Sequence, residues 1–237
     1  MATGRNSDRL LALKKELEIK VEIRTHACDL VNPAERSSLV SLLNKFVPDL
    51  IVNNAGCGLY GQALAYDTKS QMDLMQLNAN TSLELSLEGA RTLYSKGRRG
   101  VIMNVSSVAG FFPFPNLSVY AASKTFVNAF SESFDWEMKE HGIRVLASCP
   151  GVVATNFRQR ASSGELDHKG DGMNVMTADY AAEEIWGQIL SKEPVRIFDW
   201  RYRAWQFLSR AVPSSILKTM LRKGMKTRNN SKDIILN

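Results

Sequence analysis

The chain has 237 residues, of which 44% are hydrophobic and 23% charged, with 15 glycines and 7 prolines. These are ordinary globular proportions, and they exclude a disordered, collagen-like or low-complexity chain. The length allows one large domain or two small ones, with a core that needs no covalent staples. The net charge is +6, but it is uneven. Residues 1–195 carry 20 Lys/Arg against 22 Asp/Glu, whereas residues 196–228 carry nine Lys/Arg against Asp199 alone. The high pI therefore belongs to a basic tail, and no nucleic-acid partner is expected. Cys28, Cys57 and Cys149 form no CxxC pair, so neither a disulfide framework nor a metal site is expected, and a cytoplasmic setting is the simplest reading. Charge runs through the first 30 residues, so no signal peptide is expected. The longest uncharged run, 100–123, contains Asn104, Ser106, Ser107, Pro113, Pro115 and Asn116; it reads as strand plus loop rather than a membrane span.

In chain order, Asp8–Glu18 reads as a helix with Leu10, Leu13 and Leu17 on one side, and Val21–Ala27 as a strand. Asn32 as cap and Pro33 at the first position start a helix to Phe46. Leu50–Asn53 is a short strand, Thr68–Ser95 one long helix and Val101–Val105 a buried strand. Tyr120–Glu140 is a helix, Val145–Ser148 a strand, Tyr180–Leu190 a helix and Pro194–Phe198 a last strand. Strands separated by single helices predict an α/β fold, a doubly wound parallel sheet with helices on both faces. Ligands of such sheets sit at the carboxyl ends of the strands. The polar and glycine-rich residues cluster there, at Asp29, Asn53–Gly56, Ser106–Ser107 and Pro150–Gly151.

Tyr120 and Lys124 stand four apart on one predicted helix and share a face. A neighbouring ammonium stabilises a phenolate and lowers its pKa, which makes a tyrosine a usable acid or base. Ser107, at a strand end, can hold a substrate oxygen. A YxxxK pair alone is a common accident of helix surfaces. Here it stands with Asn53-Asn-Ala-Gly56, Asn104-Val-Ser-Ser-Val-Ala-Gly110, Tyr120-Ala-Ala-Ser-Lys124 and Pro150-Gly-Val-Val-Ala-Thr155. In order and spacing these resemble the short-chain dehydrogenase/reductase family over about residues 3–198, and the overall pattern is most similar to its DltE-like members.

The resemblance implies a Rossmann-like fold and an oxidoreductase that interconverts an alcohol and a ketone or aldehyde. It implies Tyr120 as acid/base, Lys124 as its stabiliser and ribose ligand, and Ser107 as the substrate-orienting hydroxyl. Asn78 matches the helix asparagine that supports a relay water, with Asn80 as the nearby alternative. Asp29 and Leu30 would lie by the adenine, Asn53, Ala55 and Gly56 by the adenosine ribose, and Pro150, Gly151, Val153 and Thr155 by the nicotinamide. Asn53–Asn54 also reads as a plain turn and Asp29 as a helix cap. Arg5, just past the end of what resembles the family's second strand, favours NADP(H) over NAD(H) through the 2′-phosphate; a solvated terminal arginine is the other reading.

The family's first strand and its glycine-rich phosphate loop have no counterpart here, so an N-terminally shortened fold with weakened cofactor binding is expected, its gap lying between the strands at 21–27 and 50–53. Residues 1–198 are expected to form the dehydrogenase domain and 199–237 a basic amphipathic extension. Within it, residues 200–228 interleave aromatics with basic residues, as in a substrate lid, a partner contact or a peripheral segment on the inner face of a membrane. Phe111-Phe-Pro-Phe-Pro115 lies where the resemblance places the substrate, which implies a small apolar carbonyl or alcohol. Homo-oligomers through the helices at 68–95 and 120–140 are also implied. The alternative is an impaired remnant that binds a membrane or partner through its tail.

Overall fold

The computed structural model describes residues 1–162 and 175–211. Strand β1 (Ala2–Gly4) leads into helix α1 (Ser7–Leu17), which starts where the Asn6 side chain accepts the Arg9 N–H. Strand β2 (Thr25–Ala27) follows, then α2 (Pro33–Phe46), capped by Asn32 with Pro33 at the first position. Strand β3 (Leu50–Asn53), α3 (Thr68–Met75), a π-turn (Gln76–Asn80) and α4 (Thr81–Ser95) come next. Then follow β4 (Gly100–Val105), α5 (Ser118–Met138), β5 (Ile143–Cys149), α6 (Phe157–Ala161), α7 (Ala178–Ser191), β6 (Val195–Ile197) and α8 (Trp200–Ala211).

All strand pairing is parallel. The central ladder runs β3-β4-β5-β6, and β1-β2 is a separate pair. The single predicted sheet is thus two hydrogen-bonded units, and among the described residues no strand pairs with both β1 and β3. The strand predicted over 21–27 begins only at Thr25, because β1 offers it three partners, from Ala2↔Thr25 to Gly4↔Ala27. The helix predicted over 68–95 is interrupted by the π-turn.

Side-chain alternation along the strands splits the core into two layers. Ile51, Ile102, Ile143 and Val145 pack with Leu43, Leu93 and Phe134 on one face. Met103 and Leu146 pack with Ile185 and Ile189 of α7 on the other. Burial on both faces explains why β4 and β5 read as nearly continuous apolar runs. Asn104 is a fully buried polar exception, and its needs are met. Asn53 Nδ2 and Ser86 Oγ donate to its Oδ1 at 2.8 and 3.2 Å, and its Nδ2 donates to Ser131 Oγ at 2.9 Å. This bridge fixes the carboxyl ends of β3 and β4 against α4 and α5.

No helix among the described residues is long and apolar enough to cross a membrane. The expected membrane or partner contact at 200–228 falls on α8 only as far as Ala211; residues 212–228 lie outside the described residues.

Candidate active site

Ser107, Tyr120, Lys124 and Asn78 come together at the carboxyl end of β4, and all are buried. Ser107 caps the 3₁₀ turn Val108–Phe111, accepting the Ala109 N–H at 3.1 Å, so its hydroxyl is held just past the strand. Tyr120 and Lys124 lie on the buried face of α5. The Lys124 ammonium donates to the Val105 carbonyl at 2.9 Å and sits 5.8 Å from the centre of the Tyr120 ring. Asn78 sits in the π-turn, whose extra residue turns it inward. It grips Cys57 through both main-chain groups and donates to Ser123 Oγ at 3.1 Å.

Burial sets the electrostatics. It pushes the Tyr120 phenol up to about 12, opposed mainly by a hydrogen bond with Ser107, and pulls Lys124 down to about 8. The sequence reading expected Lys124 to lower the phenol. In this structure burial is the largest influence on the phenol and raises it, and the ammonium is turned to Val105. Burial likewise pushes the Cys57 thiol up, while Arg5, Lys124 and Arg160 pull it down and Asp73 adds to the rise. Arg5, from the end of β1, therefore acts on the Cys57 turn alongside Lys124.

Other expected positions divide. A Cβ on Gly56 would stand 3.2 Å from Asn78 Oδ1 and 3.7 Å from Lys124 Nζ, so this glycine lies against the cluster. Ala55 beside it is exposed. The Pro150 carbonyl accepts the Val108 N–H at 3.1 Å, tying the 150–155 segment to the Ser107 turn. Val153 bridges to Met176, and Thr155 Oγ1 accepts the Phe157 N–H at 3.3 Å. The Asn53 side chain donates to Asn104 Oδ1 at 2.8 Å and to Ser86 Oγ at 3.2 Å. Asp29 accepts the Val31 N–H at 3.0 Å in a local turn, and Leu30 is a core residue beside Cys28, Leu39 and Leu85.

Three aromatic residues also shape the cleft; the sequence marked Phe114 and Tyr202 only as members of the 111–115 and 200–228 runs, and Phe157 not at all. The Phe157 ring packs 5.6 Å from that of Tyr120, and Phe114 joins Leu74, Leu117 and Tyr120 in one cluster. Tyr202 of α8 stands where a Cβ on Gly151 would meet its ring at 2.8 Å, so only glycine lets α8 approach. Aromatics in the 111–115 and 200–207 runs were the available signal. Phe157 gave none, since five-residue α6 is too short for periodicity.

The arrangement is a phenol with a hydroxyl partner, an ammonium one turn along the same helix and an asparagine behind them. It can hold an oxygen and exchange a proton with it. Comparison with known proteins gives the family. The family model for short chain dehydrogenase matches residues 1–166. Sulfoacetaldehyde reductase of Chromohalobacter salexigens is 30% identical over 190 residues, covering 78% of this chain and 75% of that protein. Serine 3-dehydrogenase of Rhizobium radiobacter is 31% identical over 192 residues, covering 78% and 75%. The structure of a short-chain dehydrogenase from Sphingobium yanoikuyae in complex with NADPH superposes with a TM-score of 0.79 at 25% identity, covering 99% of this chain and 88% of that one. The fold is accordingly Rossmann-like, and the chain belongs to the short-chain dehydrogenase family, as an oxidoreductase of the class acting on CH–OH groups.

Proposed function

We propose that this oxidoreductase uses NADP(H) in preference to NAD(H) to interconvert an alcohol and its ketone or aldehyde, with Tyr120 as the proton donor and acceptor. The observation that carries the reading is the buried Ser107–Tyr120–Lys124 cluster walled by the 150–155 segment. The cleft suits the nicotinamide end of such a cofactor. Gly56 leaves room beside Asn78 and Lys124, and Pro150, Gly151, Val153 and Thr155 form the facing wall. Arg5, which directly follows β1, is the residue we assign to the 2′-phosphate. When bound, the cofactor supplies or takes up the hydride.

The chain's own part is positioning and proton transfer. Ser107 donates a hydrogen bond to the substrate oxygen, and Tyr120 Oη delivers a proton to it in reduction or removes one in oxidation. Lys124, as an ammonium, favours the phenolate left after reduction and binds a ribose hydroxyl. Asn78 holds the Cys57 turn and supports a relay water between Lys124 and solvent.

We assign an apolar substrate body from the Phe111–Pro115 run; Phe111, Phe112, Phe114 and Pro115 line an open groove of about 560 Å³ against Ala121 and Ala122 of α5, whose lining includes none of Ser107, Tyr120 and Lys124. Residues 1–198 form the dehydrogenase domain, and residues 199–237 follow it as an extension whose first helix rests on Gly151 through Tyr202, in keeping with a lid. Tyr94, Phe126 and Trp136 stand exposed on α4 and α5, in keeping with a homo-oligomer built on those helices. Within the family we read the chain as DltE-like, on the similarity of its overall sequence pattern to those members.

The test is NADPH binding to the purified chain by thermal shift and fluorescence titration. A ligand bound only by the native state adds about 2.7 kcal/mol at a hundredfold excess over Kd. A clear shift with NADPH and a smaller one with NADH is expected. No shift with either sinks the reading, and equal shifts remove the role given to Arg5.

A further inference from the structure

Ser107 and Tyr120, the residues assigned to the substrate oxygen, are only 8% and 9% exposed. Apolar bulk encloses the phenol. Tyr120 shares one cluster with Leu74 and Leu117, and Leu59, Phe114 and Phe157 pack against it. Phe157 meets the reacting side chain ring to ring, with centroids 5.6 Å apart and planes tilted by 50°. The tip of the Phe157 ring also lies on Gly58, where a Cβ would stand 3.0 Å from Cζ and 3.3 Å from Cε1. The ring is therefore in contact with both the reacting phenol and the loop after β3. Its helix is held as well. The Ala161 Cβ, at the other end of α6, stands 3.2 Å from the same added atom, and the Ala161 carbonyl accepts the Tyr60 N–H at 2.7 Å. The Phe157 N–H donates to Thr155 Oγ1 at 3.3 Å. An aromatic wall packed and tethered in this way does not make room for an extra methylene as a flexible side chain would.

We propose that Phe157 is a specificity-determining residue, a fixed wall beside the Tyr120 phenol that admits only hydrogen or methyl as the smaller group on the reacting carbon. A carbonyl carbon whose oxygen reaches Tyr120 Oη carries one group on each side of that oxygen, and only one of the two can lead out of a cleft this enclosed. The substrate is then an aldehyde or a methyl ketone, and the alcohol it interconverts with is primary or a 2-alkanol. The proposal rests on the redox reading above and deepens it by naming the substrate class.

Wild type, Phe157→Leu and Phe157→Ala are assayed with NADPH on three ketones that share a pentyl group, 2-heptanone, 3-octanone and 4-nonanone, and on hexanal. Melting curves report folding. The comparison is between ketones on one protein, so any change in cofactor affinity cancels. Wild type is expected to lose about tenfold or more in kcat/KM from 2-heptanone to 3-octanone, the usual weight of one methylene in a packed pocket, and more again to 4-nonanone. Phe157→Ala levels the series, and Phe157→Leu lies between. The proposal is overturned if wild type takes the three ketones equally or favours the longer ones, or if its preference survives in Phe157→Ala. If wild type takes hexanal alone, a gain of 2-heptanone in Phe157→Ala supports the wall and no gain overturns it. If no carbonyl turns over, the redox reading fails by itself, and equilibrium titration decides the wall. Tighter binding of 2-heptanol than of 4-nonanol by wild type, lost in Phe157→Ala, supports it; equal binding, or none of either, overturns it. Should Phe157→Ala not fold, Phe157→Leu decides, and a series as steep as that of wild type overturns the proposal.

Discussion

Asn78 holds the main chain of Cys57 at both ends, its Oδ1 accepting the Cys57 N–H and its Nδ2 donating to the Cys57 carbonyl, each at 2.9 Å. The two residues come from different layers, a helical π-turn and the loop after β3. The clamp fixes the floor of the cleft beside Gly56. Asn78 is completely buried, so Asn78→Ala leaves both Cys57 groups without this partner. The expected loss is about 1–3 kcal/mol of stability, together with a lower kcat, since the Gly56 turn is then free to shift. Urea unfolding alongside steady-state kinetics checks both, and a variant of wild-type stability would remove the clamp from the account.

Tyr120→Phe removes one oxygen from a side chain that is 9% exposed. The ring keeps its packing on Phe157 and Leu74, so the fold should hold. Turnover should fall by roughly 10²–10⁴, the usual weight of a positioned acid or base, while NADPH affinity stays within a few-fold. Retained turnover would mean that another group carries the proton.

The Lys124 ammonium, pulled down to about 8 by burial, is lost as pH rises past that value. If the ammonium binds the cofactor ribose, kcat/KM for NADPH, which reports the free enzyme, should be flat below pH 8 and decline above it. Lys124→Arg should move that decline upward. A profile level to pH 10 in wild type would contradict the assignment. Linkage gives a second sign. From about pH 8 to 10.5 the unfolded chain holds a proton that folded Lys124 has released, so this group makes the fold more stable as pH rises through the window. Tyr120, pushed up to about 12, acts in the opposite sense above pH 10.

What the sequence made legible was local. Asn32–Pro33 announces a helix start because capping needs only neighbours, and α2 begins at Pro33. The four-residue spacing of Tyr120 and Lys124 puts both on one helical face whatever surrounds them, and both are on the buried face of α5. The long-range features were not legible. The π-turn that breaks the 68–95 helix coincides with Asn78 reaching Cys57 across 21 positions in sequence. The hydrogen bond from the Asn53 side chain to Asn104, 51 positions away, is likewise a contact that no local motif shows. The upward shift of the Tyr120 phenol is not legible either, since spacing shows a neighbouring charge but not the burial that raises the phenol.

Asp135 and Arg144 form an ion pair inside the α5–β5 junction, where the Asp135 side chain is 1% exposed. Its carboxylate accepts Arg144 Nε at 2.7 Å, Nη2 at 2.8 Å and the Val145 N–H at 2.8 Å. The hydrogen bond to Asp135 raises the Arg144 pKa. Removing one partner from such a pair typically costs about 3–5 kcal/mol. Asp135→Ala should therefore unfold at markedly lower denaturant, and Asp135→Asn, which can still accept from Val145, should lose less. Equal midpoints for the two variants would mean that the main-chain bond adds nothing to the charge pair.

Gly110 lies where the loop after Ser107 crosses α5. A Cβ there would meet the Lys124 main-chain carbon and oxygen at 2.7 Å each, and Asn128 Nδ2 at 2.6 Å. Two of the three atoms are helix backbone, which cannot swing aside, so Gly110→Ala must push the loop and α5 apart. The Thr125 hydroxyl donates to the Gly110 carbonyl at 2.9 Å and would be drawn out of reach. Overpacking of this kind costs about 1–3 kcal/mol. The same movement also separates Ser107 on the loop from Tyr120 on the helix. Gly110→Ala should therefore lower kcat more than its loss of stability accounts for when assayed well below its melting temperature. Full activity in a destabilised variant would show that the loop yields away from Ser107 and that the spacing of hydroxyl and phenol is held by β4 and β5 alone.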